Sequence, residues 1–117
     1  MNNNCIIAWM DDMHMSAHLA KVSTTHSYDL RFCEKIEDIL EFKSFTLLID
    51  LNKINEQNFK QIDELRQRKS ITFIGFCEEL NQSLIVYFKK LGCDMVFKRH
   101  DLMKNLNSIL INIFHSS

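Results

Sequence analysis

The chain has no proline and only two glycines, Gly75 and Gly92, in 117 residues. A polypeptide so poor in both lacks the punctuation of linkers and low-complexity segments, and it carries no internal repeat. A single domain spanning residues 1–117 is expected, long enough to bury a sizeable core. An excess of charge is missing too: 14 Lys and Arg stand against 15 Asp and Glu, a net charge of -1. That balance gives no reason to invoke nucleic acid or an anionic membrane. The densest basic run, RQRK at 66–69, reads as a solvated cluster complementing a helix C-terminus. No apolar run approaches the ~20 residues of a membrane span, and the opening MNNN is no secretory signal. The four cysteines, Cys5, Cys33, Cys77 and Cys93, include no CxxC pair. They point to reduced thiols in a cytoplasmic protein, most of them filling core space. His14 and His18 could share a helix face, but no further ligands stand at the spacing of a zinc site.

What is present is a regular alternation of strand and helix signals. CIIAWM (5–10) is an apolar run of strand length, after which Asp11 or Asp12 can cap a helix. That helix carries Met13, Ala17 and Ala20 on one stripe and Met15, Leu19 and Val22 on the next. Asp29 to Cys33 reads as a second strand, followed by a second helix through Ile36, Ile39 and Leu40. FTLLID (45–50) is the third strand, and Phe59, Ile62 and Leu65 recur at helical spacing behind it. ITFIGF (71–76) is the fourth, followed by a helix through Leu84, Phe88 and Leu91 that Gly92 can end in a left-handed C-cap. DMVFK (94–98) and a closing helix through Leu102, Leu106, Ile109 and Ile113 complete five βα units.

Apolar strands in βα units predict an α/β three-layer sandwich, a five-stranded parallel sheet with helices on both faces. Right-handed crossovers make the flavodoxin-like order 2-1-3-4-5 the natural one. Strands 1 and 3 are then neighbours at the topological switch point, where such sheets bind ligands. Asp11 and Asp12 end the first and Asp50 ends the third, so three carboxylates are expected in one crevice. Carboxylates at close range repel unless a cation or proton intervenes. A hard ion such as Mg²⁺ suits oxygen donors, and a carboxylate beside it can attack phosphorus. The plainer alternative is that Asp11 and Asp12 cap the helix while Asp50 turns into solvent.

The adjacent acids Asp11 and Asp12, the strand-ending Asp50 and the GCD turn at Gly92 to Asp94 together resemble a response-regulator receiver domain over nearly the whole chain. DDMHMSAHL, IDLN, FIGFCEEL and GCDMVFKRHDLMKNL are similar, more narrowly, to short stand-alone receiver-like proteins. The resemblance implies a signalling chain rather than an enzyme. It implies that Asp11, Asp12, Asp50 and the backbone carbonyl of Asn52 hold Mg²⁺, and that Asp50 accepts a phosphoryl group from a histidine kinase or phosphotransfer protein. Three positions depart from the receiver pattern. Cys77 replaces the Ser or Thr that follows the phosphoryl group, and a thiol is a weaker donor. Arg99, with Lys98 beside it, stands near the receiver lysine, and the two cations are not interchangeable. Val96 occupies the aromatic switch position, with Phe97 one residue away.

Two functions follow as alternatives, a phospho-accepting receiver or a phosphorylation-independent pseudo-receiver that binds proteins. The second would act through the face of the fourth helix, fifth strand and fifth helix, where Ile85, Tyr87, Phe97 and Met103 are candidates and where a homodimer could form. A flavin or nucleotide binder would need a phosphate loop where the chain has DDMHMS. A thiol enzyme built on Cys77 would have to form its thiolate beside Glu78 and Glu79.

Overall fold

The computed structural model describes residues 4–115. Five strands, β1 (Cys5–Trp9), β2 (Asp29–Phe32), β3 (Ser44–Asp50), β4 (Ser70–Cys77) and β5 (Met95–Lys98), form one sheet in the order β2-β1-β3-β4-β5. All neighbouring pairs are parallel. Four α-helices connect or follow them: α1 (Met13–His26), α2 (Glu56–Arg66), α3 (Gln82–Lys90) and α4 (Arg99–His115). The predicted topology is the observed one.

Strand periodicity divides the core in two. Ile6, Ala8, Met10, Leu48, Ile74 and Phe76 pack beneath α1 and α4 with Met15, Leu19, Leu102 and Leu106. Ile7, Trp9, Leu47, Ile49 and Phe73 pack on the other face with Phe59, Ile62 and Leu65 of α2. Of the two stripes predicted on α1, Met15, Leu19 and Val22 are buried, while Met13 is exposed.

The second helix is a correction. Ile36–Ile39 forms one 3-10 turn, and no α-helix lies between β2 and β3. Register explains it. Phe32 is level with Ala8, which is level with Leu48, four residues beyond Ser44. The chain must therefore travel back about 13 Å. An α-helix would need about nine residues for that span, leaving almost none of residues 33–43 for the turns at its two ends. The connection is made of bends and the one 3-10 turn instead, and Ile36 and Ile39 still reach the core. Asp38 accepts from the backbone N–H groups of Glu34 and Lys35, and Lys69 donates to the carbonyls of Leu40 and Phe42, both at 2.7 Å. Orphaned backbone groups are thereby satisfied without helix.

RQRK is also more than a solvated cluster. Arg66 donates to the carbonyl of Gly92 and, at 2.8 Å, to the carboxylate of Asp94. Asp94 in turn accepts from the N–H of Phe73 at 2.7 Å and donates its own N–H to the Phe73 carbonyl at 2.8 Å. The GCD turn thus fastens the ends of α2 and α3 to the sheet. Gly92, with φ of +120°, takes the left-handed conformation its place after α3 requires.

Candidate functional site

Every residue singled out for chemistry lies at the carboxyl ends of the strands. The apolar run of β1 ends at Met10, and Asp11 and Asp12 form the turn into α1. Asp12 is the N-cap, accepting from the Met15 N–H at 2.9 Å. Asp50 closes β3 and caps the short 3-10 turn Leu51–Lys53, its Oδ1 accepting from the Asn52 N–H at 3.0 Å. Cys77 closes β4, Lys98 closes β5, and Arg99 opens α4 with no intervening loop.

Gly75 sets the position of the turn after Asp50. A Cβ there would stand 2.6 Å from Leu51 Cδ2 and 2.8 Å from its Cγ. The bare backbone lets the buried Leu51 side chain lie against β4 and pin the segment that follows Asp50.

The acids are engaged by cations of the chain itself. Arg99 donates to both carboxylate oxygens of Asp12, through Nε and, at 3.1 Å, through a terminal nitrogen. Side-chain exposure is 16% for Asp12 and 27% for Arg99, so the pair is partly desolvated. The Arg99 hydrogen bonds, helped by the Met15 N–H, hold the Asp12 carboxyl at about 2, despite the opposing effect of burial. Glu78 adds a longer contact to Arg99 at 3.7 Å. Asp11 is paired with Lys53, whose ammonium is held above its usual range by that hydrogen bond. Lys53 was not among the candidates from sequence. The one available signal is its place three residues after Asp50, where an α- or 3-10-type turn brings a side chain back over the strand end.

The donor set has the chemistry of a Mg²⁺ site, and as it stands its two acids after β1 are paired with cations of the chain. Among the described residues, no group of three or more histidine, cysteine, aspartate or glutamate side chains stands together as metal ligands. Asp11 and Asp12 each face a cation, and Asn52 is joined to Asp50 through its N–H. Lys98 is exposed on β5, and the cation placed against the acids is Arg99.

Cys77 is buried, and its thiol is pushed up first by burial, then by Asp50, Glu78 and Glu79. Its Sγ donates to the Glu79 carbonyl at 3.2 Å. These surroundings oppose a thiolate. Val96 packs toward α2 and α3, whereas Phe97 packs on the opposite face beneath α4. Period two in a strand makes one residue of displacement a change of face.

No protein-family model and no curated protein matches the sequence. Solved structures do match. A response regulator in red light signaling of R. palustris superposes with a TM-score of 0.74 at 14% identity, over 97% of this chain and 95% of that one. The chain has the receiver fold. A protein of Burkholderia pseudomallei described as pilus assembly-related matches with a TM-score of 0.63 at 14% identity, over 94% of this chain and 90% of its own. One of Burkholderia thailandensis described as a pilus assembly protein, cpaE, gives 0.60 at 17%, over 91% and 93%. At such identities the likeness speaks for the receiver fold and its topology alone. Among the described residues, no helix is long and apolar enough to cross a membrane.

Proposed function

We propose that this chain is a receiver-fold interaction module that works without a bound metal ion or a phosphoryl group. The observation that carries this reading is the pair of internal ion pairs, Arg99 with Asp12 and Lys53 with Asp11. They neutralise the two acids that a divalent cation would have to recruit. The altered readout positions, Cys77 and Val96, support it as well. A receiver whose crevice is already compensated has no need of a cation to hold its acids together.

The docking face consists of α3, β5 and the adjoining side of α4. Val86 and Tyr87 are exposed on α3, and Ile85 is half-exposed beside them. Phe97 and Met103 are partly buried against the core, which makes them supports of this face more than contacts. Tyr87 donates to Glu56 Oε1 at 3.0 Å, so its ring is oriented before any partner arrives. Aromatic side chains held in place this way suit a protein partner.

The test is incubation with Mg²⁺ and acetyl phosphate, read by intact mass, with Asp50→Asn as control. No phosphoryl gain is expected, and Asp50→Asn should leave fold and stability nearly unchanged. A gain that requires both Mg²⁺ and Asp50 would sink the proposal. It would restore a phospho-accepting receiver served by a histidine kinase or phosphotransfer protein.

A further inference from the structure

β2 is an edge strand without a helix of its own behind it, and its outer edge has a definite hydrogen-bonding phase. Asp29 donates its N–H to the Asn4 carbonyl and Cys33 donates to the Ala8 carbonyl, at 3.0 and 2.9 Å. In a parallel ladder alternate residues face the neighbour. The N–H and C=O groups of Leu30 and Phe32 therefore point away from β1, on the side where no other strand of the sheet lies. The edge also carries a charge pattern. Arg31 Nε lies 2.9 Å from Asp29 Oδ1, with side-chain exposures of 57% and 53%.

We infer that β2 pairs with β2 of a second copy of this chain, antiparallel about a two-fold axis at Leu30, joining two sheets into one. Phase and charge meet at this one register. With the axis at Leu30, the two Leu30 residues exchange both backbone hydrogen bonds, which needs the outward N–H and C=O that Leu30 has. Asp29 of each copy then stands opposite Arg31 of the other in the close, non-hydrogen-bonded pairing. Two aspartates and two arginines alternate in sign around the axis, which is the self-complementarity a two-fold interface demands. Shifting the axis by half a residue would set Arg31 opposite Leu30 and lose the match.

Apolar surface supports the same arrangement. Phe32 is 53% exposed and shares its face with Leu30. In the paired sheet it faces position 28 of the second copy, where Tyr28 stacks on His26 and packs on Phe114. The Tyr28 N–H is already bonded to the Ser23 carbonyl at 2.8 Å, so this pair can form one ladder bond, from the Phe32 N–H to the Tyr28 carbonyl, and not two. Exposed charges on an edge strand usually deter pairing. Here opposite signs at positions 29 and 31 deter other strands and admit this one. An edge of four residues is small compared with permanent interfaces, so the dimer is a reversible one that leaves α3 and β5 available.

The experiment is sedimentation equilibrium on the full chain from low micromolar to near-millimolar concentration, with circular dichroism to confirm folding. Wild type should dimerise with rising concentration. Asp29→Arg and Arg31→Asp, each placing like charges opposite, should weaken the dimer about tenfold or more. The double variant Asp29→Arg/Arg31→Asp should bring it back, because the charges are again complementary. A chain monomeric throughout overturns the inference. So does a dimer indifferent to both reversals, or one dissolved by Tyr87→Arg on α3, which would place the contact on the α3–β5–α4 face.

Discussion

Asp12 does two things with one carboxylate. One oxygen caps α1 and accepts from Arg99, and the other also accepts from Arg99. Its carboxyl is lowered from 3.8 to about 2. A depressed carboxyl stabilises the fold above its unfolded value, and that contribution is lost as pH falls through the folded one. Wild type should therefore lose about 2 kcal/mol between roughly pH 5 and pH 2 from this group. Arg99→Met should be less stable at pH 7 and show a flatter acid limb, as chemical denaturation across that range would reveal. An unchanged slope would mean that Arg99 does not hold Asp12. Cys33 and Cys93, buried and pushed up to about 12, should resist iodoacetamide in the folded chain at neutral pH. The capping acid could be read from sequence because a cap is local. The resemblance put Arg99 in the crevice, but not its pairing with Asp12, because the two are 87 positions apart in sequence.

Among the elements, the connections differ most from expectation. Ile36, Ile39 and Leu40 have a spacing that suits one turn of either helix type, and only the return distance to β3 decides against the longer one. The strands were legible because a buried parallel strand is a plain apolar run. α2 and α3 were legible because their apolar residues recur at helical spacing over nearly two turns. The fastening of the GCD turn was not, since Arg66 and Asp94 belong to different elements. Asp94→Ala should cost about 1–3 kcal/mol by stranding the Phe73 N–H and releasing Arg66. Arg66→Ala should cost less, and the two losses should add to less than their sum in a double-mutant cycle. Additivity would show that the residues act separately. Gly75→Ala, which drives a methyl against Leu51, should cost about 1–3 kcal/mol by thermal melting.

Taken whole, the molecule has the receiver topology, with two acids at its carboxyl edge paired to cations of the chain. Strand order could be argued from five βα units and the handedness of crossovers. The state of the crevice could not, since the same acids can hold a metal, a proton or a lysine. The short passage between β2 and β3 has a further consequence, for the order in which the fold comes apart. β2 is held by one neighbour, is largely solvated and is followed by only a 3-10 turn, whereas β3 is central and almost wholly buried. Local opening free energies follow such differences. Amide exchange should therefore release β2 first, well ahead of β3 and β4, with mass spectrometry resolving the two. The strand that is cheapest to open is also the one whose edge faces outward, so concentration should slow exchange there before anywhere else.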